Sequence, residues 1–419
     1  MLRLVSRHRV FVVYLLSLGW LAVSALTFAM FAHRGGDHAI WVVFVLAGVT
    51  LVYVGAWRLA ERVWPAWTRP SAASVLTPTP FQRALLGGLV AVYALVVTLH
   101  FSMIGCVPII EALGGASERD VSIVRQSGYF DLPGLMRYAS DYSTKALGPA
   151  LLLVTYYFRS RLFWVVLAIG VFYTTGLIAR ILPIMLLLPL LVFMVTQRRW
   201  LHIALVVALL GVQLSLSTVV ASPVIKEALS LPPMADVLLA AGADRPQVDL
   251  KPLPERPHDW RRTSIVYSFY DRMLLVPGQV MAQWFEYYAE RDRREGGCGY
   301  RVVAGLIGCS SYVPIPSKLY AAFYQENVAY GMRGSLNAAS FMTEFANFGP
   351  AGFVLSALLG GLLFATVAFI YRDHPLALPM NLPLIVITME TSLPTAVNSG
   401  SGWLVMTLIF ILLFRLPRK

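Results

Sequence analysis

Charge is what this sequence has least of. Only 13% of its 419 residues are Asp, Glu, Lys or Arg, against 58% hydrophobic, and the mean hydropathy is +0.67. Soluble domains carry about twice that charged fraction, so a soluble enzyme and a disordered tail are both excluded. Cysteine is scarce as well. Three residues are too few for a disulfide-rich secreted scaffold, and Cys298 and Cys309 lack a neighbouring His that would make a zinc site. Lysine nearly vanishes beside arginine, five against 29. Arginine is therefore favoured everywhere, and an arginine-rich loop is not by itself evidence of phosphate binding. Also missing are a phosphate-cradling glycine loop, an internal repeat and a low-complexity tract. No motif implies a cofactor or a metal.

What is present comes in long uncharged blocks, the mark of membrane-spanning helices. The net charge of +12 fits the cytoplasmic ends of such helices, which collect Lys and Arg, better than it fits nucleic acid. Blocks run over Val10–Ala32, Ala39–Trp57, Leu85–Ile104, Leu147–Phe158, Leu162–Ala179, Ile181–Val195, Leu201–Val220, Gly349–Tyr371, Asn381–Val397 and Trp403–Phe414. The short block at Leu147 calls for a helix that begins earlier or stays partly buried in protein. Basic residues mark every second loop: Arg3, Arg7 and Arg9; Arg58 to Arg83; Arg159 and Arg161; Arg198 and Arg199; Arg372; Arg415 to Lys419. That alternation predicts an all-α polytopic membrane protein of about ten transmembrane helices with both ends in the cytoplasm. It divides the chain into membrane helices over 1–220 (with an external loop over 106–146), a large external loop over 221–348, and closing helices over 349–419. Long loops are usually functional. In the large one, Met281, Trp284, Phe285 and Tyr288 make one helix face, suited either to the membrane interface or to the core of a small external domain.

No inside loop is large enough for a nucleotide-binding domain, so chemistry faces outward, and a lipid-linked substrate is the natural donor there. Arg180 separates two apolar stretches with almost no loop around it, where a fixed charge suggests either a functional site or a snorkelling turn residue. Its fork of donors suits a diphosphate. Glu344 and Asn347 stand three apart, on one face of a helix. A carboxylate there could accept a proton from a sugar hydroxyl, or simply cap a helix or pair with a nearby Arg. The other candidate substrate contacts are Arg125, Arg262, Arg272, Arg301 and Arg333, each also readable as a solvated face residue. Cys298 and Cys309 could pair in an oxidising compartment; the alternative is two unrelated thiols.

The stretch Glu344-Phe345-Ala346-Asn347-Phe348-Gly349-Pro350-Ala351-Gly352, followed by Gly360-Gly361, resembles the late helix entry of bacterial O-antigen and exopolysaccharide repeat-unit polymerases, the Wzy type. Gly176-Leu177-Ile178-Ala179-Arg180-Ile181-Leu182 resembles that family's Gly-and-Arg turn. Asn347, Phe348, Gly349 and Gly352 match the pattern; the place of Glu344 before the Asn matches it less closely. The resemblance implies a membrane glycosyltransferase with a GT-C-like architecture in the bacterial inner membrane. Its active site would face the periplasm, transferring a growing glycan from undecaprenyl diphosphate onto a lipid-linked repeat unit. Arg180 then inherits the diphosphate role and Glu344 that of base or acceptor contact. A flippase and a chain-length regulator of the same pathway are the implied partners. An O-antigen ligase shares the lipid donor and topology, and a transporter of lipid-linked sugar is the reading from another class.

Overall fold

The computed structural model of the protein describes residues 7–32, 38–63, 77–113, 132–179, 181–221, 270–289, 293–309, 312–325, 328 and 334–415. Among these the chain is helical throughout, with no strand. The helices are α1 Arg9–Ala32, α2 His38–Val63, α3 Pro80–Ile104, α4 Pro108–Leu113, α5 Gly134–Tyr142, α6 Gly148–Tyr157, α7 Leu162–Gly176, α8 Ile181–Thr196 and α9 Trp200–Ala221. Then come α10 Val276–Tyr288, α11 Arg301–Leu306, α12 Ile315–Phe323, α13 Ser340–Phe348, α14 Pro350–Tyr371, α15 Ala377–Thr388, α16 Leu393–Thr395 and α17 Trp403–Phe414. Five of them, α1, α2, α3, α9 and α14, are long and apolar enough to cross a membrane. A sixth is reached if the pair 393–400 and 403–414, bent by 59°, counts as one span. Rows of exposed aliphatic residues, such as Val354, Leu358 and Leu362 on α14 and Leu201, Leu205 and Val212 on α9, suit lipid rather than water.

The contacts group the chain differently from a division by loops. One unit comprises 1–70, 248–373 and 385–396; the other comprises 71–247, 374–384 and 397–419. In the first, α14 lies along α2 because small residues permit it. A side chain at Gly48 would meet Ala357, and one at Gly361 would meet Val52, the close approach that small residues allow between membrane helices. The basic end of this unit is tied together by Arg7 and Glu61 at 3.6 Å and by His8 bonding the Tyr53 hydroxyl at 2.6 Å. At the opposite end the described part of the late loop includes a π turn, Asp271–Leu275, that leads into α10. It does not stay above the helices. The Trp20 indole donates to Met273 O at 2.9 Å, the Ser24 hydroxyl donates to Leu274 O, and Gly278 lies against Ser24 and Phe28. The Met281, Trp284, Phe285 and Tyr288 face of α10 is buried, which makes it a packing face.

In the second unit α3 starts with a capping box. Thr79 accepts from Gln82 N–H at 3.2 Å and donates its own N–H to Gln82 Oε1 at 2.7 Å, with Pro80 at the first position. The short apolar block at Leu147 does extend backward: α5 and α6 are continuous through the π turn Ser143–Leu147. The block read as one span over Asn381–Val397 is interrupted, which corrects that expectation. Helix α15 stops at Thr388, and Ser392 caps a new turn, Leu393–Thr395, with Pro394 at its second position; a proline is tolerated in the first turn of a helix but not in its interior. Helices α7, α8 and α15 have 15, 16 and 12 residues, shorter than the ~20 that span a bilayer unaided.

Candidate functional site

The corner where α13 meets α14 carries most of the motif Asn347 to Gly352, and the geometry assigns its letters jobs. Asn347 is buried, and its amide is engaged at both ends. Its Oδ1 accepts the N–H groups of Gly297 at 3.1 Å and Gly299 at 3.0 Å, and its Nδ2 donates to Thr343 O at 2.8 Å. Two backbone bonds run parallel to these, Glu295 N–H to Ala346 O at 3.0 Å and Gly296 N–H to Asn347 O at 3.1 Å. The α13 C-terminus thus holds the loop 295–299. Gly349 turns the chain at φ 63°, ψ −144°, a region essentially reserved for glycine, and the Arg294 guanidinium lies where a Cβ would stand. A Cβ at Gly352 would strike the backbone carbonyl of Glu344. Gly352 therefore lets α14 press against the residue before it.

Glu344 sits in this corner fully buried. Its Oε1 accepts a hydrogen bond from the Tyr300 hydroxyl at 3.1 Å. Its Oε2 is buried with no hydrogen-bond partner. Burial pushes its pKa up to about 7, a rise the Tyr300 bond only partly opposes. The pairing with an Arg considered from sequence is not what the structure gives. Tyr300 is held above its ordinary pKa by burial and then by the Glu344 charge. It stands in the loop closed by a disulfide between Cys298 and Cys309. Beside it a second cluster anchors the same segment, with Tyr288 donating to Glu295 Oε1 at 2.8 Å and Lys318 bonding the same oxygen at 2.7 Å. Sequence reasoning missed Tyr300, Glu295 and Lys318. Nothing local marks them, since their partners lie 44, 7 and 23 residues away.

Phe345, next to Glu344, helps line a cavity of about 690 Å³ whose walls also include Phe28, His38, Trp41, Phe285 and Phe323. The polar face of α10, Gln279, Gln283 and Glu286, completes it. Gln283 bonds Tyr324 at 3.4 Å through its nitrogen, while its Oε1 is buried without a partner. The cavity's walls are thus mostly aromatic, with a few amide and carboxylate groups.

Of the candidate cations, Arg125, Arg180, Arg262 and Arg333 lie outside the described residues. Arg272 falls in the π turn before α10, but its side chain also lies outside them. Arg301 opens α11 inside the disulfide loop and is exposed. The turn that leads to Arg180 is described. Ile178 has φ 55°, uncommon for a β-branched residue, and is buried against Ile109 and Ala112. Strain of this kind gathers at functional sites. Also in this unit, His100, Ser140 and Tyr173 close a buried ring of hydrogen bonds at 2.6, 2.8 and 2.7 Å, and Tyr142 donates to Asn398. These too were invisible in sequence. Among the described residues no group of His, Cys, Asp and Glu could hold a metal. No family model, curated protein or solved structure matches the chain.

Proposed function

We propose that this protein is a GT-C-like membrane glycosyltransferase that polymerises oligosaccharide repeat units carried on undecaprenyl diphosphate. It would lie in the bacterial inner membrane with about ten crossings and residues 221–348 on the periplasmic side. The observation that carries the reading is Glu344: a buried carboxyl with one unsatisfied oxygen and a pKa near 7. A base is most effective when its pKa lies near the working pH, and the proton to be removed is that of the acceptor sugar hydroxyl. The neighbouring cavity, with aromatic walls and amide edges, has the composition that accepts sugar rings and their hydroxyls. On the donor side Arg180 meets the diphosphate and stabilises the charge that develops as it leaves. Its turn is built around a strained residue. The donor is activated already, so no nucleotide is required.

The test is reconstitution of the purified chain in liposomes with a lipid-linked repeat unit. A ladder of lengthened lipid-linked glycan is expected. Transfer only to a lipid A core acceptor would replace the proposal with a ligase, and passage of the intact lipid-linked unit without bond formation would replace it with a transporter. Reporter fusions at Arg198 and Pro257 should report opposite compartments; the same compartment at both would overturn the layout.

A further inference from the structure

The second unit holds a cavity that no step of glycan transfer uses. It measures about 720 Å³ and lies at the basic turns that join α6 to α7 and α8 to α9. Arg159 and Arg199 supply its charge, and His202, Tyr156, Tyr157 and Trp164 much of its wall. One arginine comes from each turn, and both line the cavity. The two turns share one construction. Each folds back with a long bond, Ser160 N–H to Thr155 O at 2.9 Å and Arg199 N–H to Met194 O at 3.0 Å. Each puts an arginine where glycine is usual: Arg159 has φ 50° and Arg198 φ 53°. Of these two left-handed arginines, Arg159 lines the cavity; in the other turn it is the next residue, Arg199, that does.

Two further observations define the ligand. Tyr157, only 5% exposed, lines the cavity, and its hydroxyl is buried without a partner. Apolar side chains at and beside the rim are exposed, Trp164, Trp200 and Leu201 by 69%, 70% and 72%. We infer that this cavity binds the phosphate head of an anionic phospholipid, with Arg159 and Arg199 on the phosphate, Tyr157 donating its idle hydroxyl, and the acyl chains leaving past Trp164. Basic pockets between membrane helices are suited to such heads, and aromatic residues mark the depth at which they lie.

Native mass spectrometry of the full chain in detergent, titrated with phosphatidylglycerol, tests this. Wild type retains the lipid, and Arg199→Gln weakens retention by about tenfold or more, the loss expected for a charge-assisted hydrogen bond. Arg159→Gly weakens it similarly while leaving the thermal midpoint unchanged or higher, because it relieves the left-handed residue. Tyr157→Phe also loses retention and is neutral for the lipid-free protein. Arg161→Gln removes the same charge from the same loop but does not line the cavity, and it should keep wild-type retention. Equal losses in Arg161→Gln and Arg199→Gln would reduce the effect to surface charge and overturn the inference. Displacement of the lipid by equimolar inorganic phosphate would make this a soluble-anion site and overturn it as well.

Discussion

The α13–α14 corner and the α7–α8 turn both carry letters that resemble one family, yet the fold uses them in opposite ways. At the corner the well-matched letters are scaffold. Asn347 fastens the loop before Tyr300, Gly349 makes a turn other residues avoid, and Gly352 admits a carbonyl. The less closely matched Glu344 is the group left with an unmet hydrogen bond and a shifted pKa. At the turn, among the described residues, the unusual feature is in the backbone, where the buried Ile178 takes a left-handed angle. A motif's most regular letters can therefore describe how a corner is held.

Substitutions at four positions sharpen this contrast, taken from the largest effect down. Glu344→Gln keeps the shape but removes the base, and chain growth should fall about 10²–10⁴-fold with membrane abundance unchanged. Normal growth would leave Glu344 a buried curiosity. Arg180→Ala should lower growth by about 10²–10³-fold, and Arg180→Lys, which keeps charge without the fork, should retain part of it. Polymer length and membrane abundance measured together separate lost chemistry from lost protein. Asn347→Ala deprives Gly297 and Gly299 of their acceptor, so it should cost about 2–4 kcal/mol in denaturant titration. A variant that stays fully stable and yet fails to extend glycan would make Asn347 a substrate contact after all. Cys298→Ser should cost about 2 kcal/mol for so short a loop. Peptide mapping without reductant should recover the joined 298 and 309 peptides, and two free thiols would refute the pairing.

The long apolar helices were legible because a bilayer demands uninterrupted hydrophobic length. Val10–Ala32 becomes Arg9–Ala32, and Gly349–Tyr371 becomes Pro350–Tyr371. The start of α5 was hidden because Arg137, Ser140, Asp141 and Lys145 interrupt the apolar pattern. The fold accommodates them by pairing Asp141 with Lys145 at 2.7 Å and bonding Ser140 to His100 and Tyr173. The break after Thr388 was overlooked for the reverse reason: an apolar run masked Ser392 and Pro394, a cap and a helix start. Glu344 could be picked out as a carboxylate at a helix entry. Its partner Tyr300 and the loss of solvent that shifts its pKa arise only once α13 closes on the disulfide loop.

The most direct test of the account is the pH dependence of chain growth by the reconstituted protein. With Glu344 as base, the ionised form is the active one. The rate should climb as pH rises through about 7, level off above it, and lose that limb in Glu344→Gln. A rate in wild type that does not change across this range, or an identical limb in Glu344→Gln, would contradict the claim.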